Sequence, residues 1–221
     1  MNKKIAKFSE MSYILGMIIL PLGATLMAKA DLGISMVVAP AYLLSLKFPI
    51  TFGTAEFILQ AFLLIVMALV MKKVKLGYIL SFVSAAIYGV VLDGWMALAS
   101  LIPDPSFCVR IVFYLLGMVV SSLGVALFFH TYLPPCSYDY FVRDLSARFG
   151  IPISRFKVSY DVTSCVLSVI MSFIFFSSLR GVGIGTVICA LVNGFIIGSI
   201  SSFLEKYIDF SPRFALERYF K

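Results

Sequence analysis

Asp161 lies in the stretch "SRFKVSYDVTSCVLSVI", four residues after Lys157, at the head of a run that is otherwise apolar or hydroxylated. A carboxylate placed there can face the bundle interior or a water-filled cavity, or lie at the inner headgroup level paired with the lysine one turn back at i,i+4 spacing. Other polar residues sit at the ends or middles of apolar runs: Asp31 and Ser35 in "MAKADLGIS", Gln60, Asp139 in "CSYD", Arg155, and Asn193 in "NGFIIG". These seven read as the candidate lining of a small-molecule site, with Arg155 and Asp161 available for charge coupling. Asn193 also suits a hydrogen bond between helices, while Gly194 and Gly198 suit close helix packing.

Catalysis has no comparable set. The one histidine, His130, and scattered carboxylates give no converging nucleophile and base, so an enzyme is not expected. Cys108, Cys136, Cys165 and Cys189 lie far apart, with no CxxC or Cys/His spacing, and read as buried thiols rather than metal ligands. The glycines of "RGVGIGT" follow no strand, so they suit a tight turn between helices rather than a phosphate loop. No cofactor is expected, and without a nucleotide-binding motif neither is ATP hydrolysis.

The elements that would position these residues are membrane helices. Of 221 residues, 61% are hydrophobic and 13% charged, about half the roughly 25% charged content of soluble domains. Six apolar runs reach spanning length, at 11–29, 54–71, 76–99, 110–131, 157–178 and 183–203. The first, after "MNKKIAKFSE", lacks a cleavage site and reads as a retained helix. Residues 36–48 and 137–149 could each form a helix of only about 20 Å, too short to cross alone. The first is apolar nearly all round and is expected to re-enter or tuck into the protein. In the second, Tyr138, Phe141, Val142, Leu145 and Phe149 form one face, which favours an interfacial helix over a re-entrant one.

Threading six spans from a cytoplasmic N-terminus leaves only Lys29, Lys47, Arg110 and Arg180, of 18 basic residues, on the outside. That is the asymmetry of the positive-inside rule, and it accounts for a net charge of +7 without nucleic acid.

A shift of 101 residues pairs "YILGM" at 13–17 with "YLLGM" at 114–118, Gly23 with Gly124, and "LSLKFPI" at 44–50 with "LSARFGI" at 145–151. Twelve of 48 paired positions are identical. Gln60 then pairs with Asp161 and, after a short gap, Gly89 with Gly198. Each half carries three crossings, so the second half must start from the opposite face. The expected fold is an all-α membrane protein of six transmembrane helices built as 3+3 inverted-topology repeats, each with an extra short re-entrant or interfacial helix. Repeat one covers 11–100, repeat two 110–205, and 206–221 is a cytoplasmic tail of the single membrane domain.

The blocks "MAKADLGIS", "FGIPISRFKVSYD" and "RGVGIGTVICALVNGFIIG" resemble the YczE-like bacterial membrane family, which is related to YitT-like proteins. In the family pattern an "ADLG(I/L)S" block continues as Ser-Pro-Trp-Asp. Here Ser35 keeps the serine, but Met36, Val37 and Val38 replace the rest. In the second repeat Asp139 matches the family's aspartate, and Arg155 with Asp161 matches a later basic and acidic pair. The resemblance implies fold and membrane location more than activity.

The function expected is a secondary transporter or permease of the bacterial cytoplasmic membrane, multi-pass with both termini cytoplasmic, its site between the repeats. The alternative is a non-transporting regulatory or assembly subunit. Expected partners are the lipid bilayer and an unidentified small molecule, with a homo-oligomer left open.

Overall fold

The computed structural model describes residues 9–73, 75–133 and 136–211, and the backbone but not the side chains of Asp139 and Ser154. Lys3, Lys4, Lys7, Arg213, Arg218 and Lys221, which entered the charge count, lie outside the described residues. The described elements are α1 (Ser9–Ala30), α2 (Ala39–Lys47), α3 (Phe52–Met71), α4 (Leu76–Ser100), α5 (Phe107–Phe129), α6 (Ser137–Phe149), α7 (Ile153–Phe176) and α8 (Ile184–Tyr207). Six of them, all but α2 and α6, are long and apolar enough to cross a bilayer.

The bundle is organised on the antiparallel crossing of α1 and α5, where small residues let two backbones meet. A Cβ on Gly23 would lie 2.8 Å from the Gly117 carbonyl oxygen, and one on Gly124 would lie 2.6 Å from Leu20 Cβ. Ser12 fastens the same pair by donating to the Leu127 carbonyl at 2.8 Å. Around this axis α4 packs on α1, α8 on α5, α3 on α4, and α7 leans on α2 and α6. α3 and α4 touch backbone to backbone: a Cβ on Gly53 would fall 1.9 Å from the Gly89 oxygen. Asp93 of α4 then accepts from the Gly53 amide at 2.6 Å, a carboxylate at the positive end of the α3 dipole.

Both short helices run into the protein. α2 buries Ala39, Pro40, Ala41, Tyr42 and Leu43, so it is tucked inside as its all-round apolarity suggested. α6 departs from the interfacial expectation. Its first amide, Ser137 N, donates to Gln60 Oε1 at 3.1 Å, near the middle of α3, while its second turn reaches Lys75 at the start of α4. Of the polar face that suggested a water-facing helix, Asp144 is taken up by protein contacts while Arg143 and Arg148 stay exposed. Asp144 accepts from Lys75 Nζ at 2.7 Å, from Tyr78 Oη at 2.6 Å and from Arg143 Nε at 3.2 Å. Burial alone would push the Asp144 carboxyl up, but those hydrogen bonds and the Lys75 and Arg143 charges outweigh it and hold it below its ordinary value.

A second correction concerns α8. Among the described residues nothing lies within 4 Å of a Cβ built on Gly194 or Gly198, so neither packs a described neighbouring helix. α7 and α8 make no extended contact, and the surface on which such packing would occur is open.

Candidate substrate cavity

A cavity of about 260 Å³ occupies the space between α7 and α8 and reaches inward to α1, α3, α4 and α5. That is close to the lower end of small-ligand sites. Most of its wall is apolar or aromatic. The polar exceptions come from Glu56, Tyr88, Ser121, Tyr138, Lys157, Tyr160, Asp161 and Asn193, with Ser35 and Cys136 at the heads of the two short helices.

Glu56 is the centre of this set. It follows the N-terminal turn of α3 and is 1% exposed, because α4 closes over it at Gly53–Gly89 and α6 docks beside it. Its Oε1 accepts from Tyr138 Oη at 2.6 Å and from Gln60 Nε2 at 3.3 Å. Burial beside this carboxylate pushes the Tyr138 phenol well above its ordinary value, so Tyr138 is the donor. Gln60 spends its other end on the Ser137 amide, which locks the amide orientation and ties α6 to α3. Among the described residues Glu56 Oε2 has no hydrogen-bond partner.

From α7, Lys157 and Asp161 project into the same cavity one turn apart. Among the described residues they form no ion pair within 4 Å, so the i,i+4 anchor their spacing allows is not made. Asp161 Oδ1 is buried and unpartnered like Glu56 Oε2. From α8, Asn193 Oδ1 accepts from Ser122 Oγ at 2.6 Å, the interhelical bond expected of it, and the residue also lines the cavity.

Of the seven expected site residues, Ser35, Asp161 and Asn193 therefore meet in the cavity, and Gln60 stands behind Glu56 as its support. Asp31 is elsewhere. It pairs with Arg110 Nη2 at 2.5 Å in a shallow outer depression, while Arg110 Nε also caps α1 through the Ala30 carbonyl at 2.9 Å. Arg155 is exposed at the start of α7 and does not line the cavity. The Asp139 side chain lies outside the described residues.

The residues overlooked were Glu56, Tyr88, Tyr138, Lys157 and Tyr160. Starting the second span at 54 made Glu56 look like a helix-end residue. Yet Lys157 and Asp161 stand 101 residues after Glu56 and Gln60, so the register that pairs Gln60 with Asp161 also pairs Glu56 with Lys157, a match the sequence reading left unused.

"DLGIS" acquires a different role. Its Ile34 amide donates to the Gly181 carbonyl at 3.1 Å, and the Gly185 amide donates back to the Leu32 carbonyl at 3.0 Å, so this loop and "RGVGIGT" clasp each other. Gly33 has φ +114°, and a Cβ there would lie 2.7 Å from Thr186 Oγ1, which excludes a side chain on both counts.

Six apolar helices of spanning length, enclosing a mostly apolar cavity, make this an integral membrane protein. The chain belongs to a family of unknown function, DUF6198, whose family model matches residues 8–202. It is similar to the "Uncharacterized protein YyaS" of Bacillus subtilis (strain 168), 28% identical over 202 residues, which cover 89% of this chain and 94% of that protein. No solved structure matches it.

Proposed function

We propose that the protein is a small secondary transporter of the bacterial cytoplasmic membrane, with the cavity as its substrate site. In this reading α1–α4 and α5–α8 are inverted repeats, and both termini are cytoplasmic. The resemblance to YczE-like and YitT-like proteins belongs to the same proposal.

Repeat symmetry is supported by which helices pack together. The pairs α1–α4, α2–α3 and α3–α6 have counterparts in α5–α8, α6–α7 and α7–α2. At the central crossing Gly23 meets Ser121 and Gly124 meets Leu20, two contacts that a 101-residue shift exchanges. Threading is supported by charge: Lys75 joins Asp144 of α6 at one end, while Arg110, Asp31, Lys29 and Asp104 pair at the other.

The observation that carries transport is the one place where this symmetry breaks. α3 and α4 are shut against each other through Gly53 and Gly89, whereas their counterparts α7 and α8 stand apart across the cavity with Gly198 uncovered. Two equivalent gates in opposite states around one site is the arrangement alternating access requires. With both termini inside, the open gate faces the cytoplasm.

In a protein whose four cysteines have been replaced, Ser154→Cys with Gly198→Cys should cross-link in membranes under mild oxidation, because these positions are the counterparts of Gly53 and Gly89. The touching pair Ser122→Cys and Asn193→Cys serves as the positive control. Cross-linking of the control alone would mean a static gap and favour the non-transporting subunit.

A further inference from the structure

Glu56 is 1% exposed and lines the cavity, yet among the described residues one of its carboxylate oxygens, itself buried, has no hydrogen-bond partner. An ionised group cannot remain so buried without a counter-charge, and an unpaired buried polar atom is costly even when neutral. Resting on the reading of the cavity as a transport site, we infer that it binds a small organic cation, an amine or quaternary ammonium ion, in exchange for a proton carried by Glu56.

The walls select the sign and kind of ligand. Asp161 Oδ1 adds a second unpartnered carboxylate oxygen, contributed by α7. Among the described residues Lys157 is the only basic side chain on the lining, and it is exposed and makes no ion pair with Asp161. Acidic acceptors therefore exceed basic donors. Phe128, Tyr88, Tyr138 and Tyr160 supply aromatic surface, which attracts alkylammonium groups through the ring quadrupole. A volume of about 260 Å³ admits a choline-sized ion.

The groups facing Glu56 leave it as the exchanging acid. From α4 comes Tyr88, from α6 Tyr138, and from α7 Lys157, Tyr160 and Asp161, with Cys136 and Cys189 also on the lining. α2 contributes only Tyr42, which is turned onto Phe52 with ring centroids 5.1 Å apart. In the exchange the Glu56 O–H bond breaks, its proton leaves to water, and the cation takes its place. The charge of the site is the same before and after.

Isothermal titration of the purified full chain with tetramethylammonium and with choline, each in two buffers of different ionisation enthalpy at pH 6, 7 and 8, reads both affinity and protons released. About one proton should leave per cation bound, and affinity should rise by about tenfold per pH unit while Glu56 is protonated. E56Q should bind at least tenfold more weakly and lose the pH slope; D161N should weaken binding with the slope retained. Binding untouched by E56Q, equal binding of sodium, preference for acetate, or no binding of either cation by wild-type protein would each overturn the inference. Those outcomes leave the carrier reading standing if the Ser154→Cys and Gly198→Cys pair closes, and failure of that cross-link counts against the carrier alone.

Discussion

Histidine and glutamate are buried in this protein for different ends. Glu56 lines a cavity and keeps one oxygen without a partner among the described residues, whereas His130, the residue capping α5, is held by a hydrogen bond and a ring stack. Its Nε2 lies 2.8 Å from Ser201 Oγ, and its ring stacks on Phe210 with centroids 4.2 Å apart. Burial lowers its pKa from the ordinary 6.5, only partly offset by the Glu205 charge and the Ser201 bond. The unfolded chain therefore takes up the proton first as pH falls. The stability His130 contributes is complete above pH 6.5 and is lost as pH drops through the lowered folded value. H130Q, which can still bond Ser201, should lose less melting temperature than wild type between pH 7.5 and 5.5 in detergent. An equal loss would place the acid sensitivity elsewhere. Residues of this kind are hard to weigh in a sequence, because whether a lone polar side chain is structural or functional depends on how many of its atoms find partners. Asn193 and Asp161 looked alike on that ground, and one proved bonded to Ser122 while the other kept a free oxygen.

At the level of helices, hydropathy located every span to within a few residues, since a bilayer imposes length and apolarity directly. What it could not supply was the direction of the short helices or the partners of the glycines. α6 reads as amphipathic whether its polar face meets water or meets Lys75, Tyr78 and Gln60. Glycines in "NGFIIG" look like packing glue whether or not a helix lies against them. The structure distinguishes Gly53 from Gly194, and stability should follow. G53A drives a Cβ to within 1.9 Å of the Gly89 oxygen and should cost at least about 1–3 kcal/mol by overpacking. G194A meets nothing within 4 Å and should gain a few tenths to about 1 kcal/mol from helix propensity. Thermal unfolding of the two variants in the same detergent checks the pair, and similar shifts would mean the α3–α4 contact is not tight.

Over the whole molecule, charge is divided between the two ends of the bundle, and the apolar flanks of α7 and α8, including Ile174, Leu191 and Phe195, are left for lipid. The division was legible because it depends only on counting residues between spans. The difference between the touching α3–α4 pair and the parted α7–α8 pair was not, because similar sequences can occupy different conformations. In a cysteine-free background, Asp104→Cys should react with a membrane-impermeant thiol reagent added outside intact cells, and Arg148→Cys only after the inner face is exposed. Labelling of both from one side would remove the threading on which the inverted arrangement depends.

The clasp between the loop at Leu32–Ile34 and the turn at Gly181–Gly185 also has a bearing on how the chain is made. The first loop leaves the ribosome early, whereas the turn that satisfies its backbone groups arrives only with α8. Until then α1 ends in unmatched polar groups beside a mobile lipid phase, so the first half must wait, incompletely closed, for the last helix to be inserted. Completion of synthesis, rather than insertion of any one span, is thus the event that seals this end of the bundle.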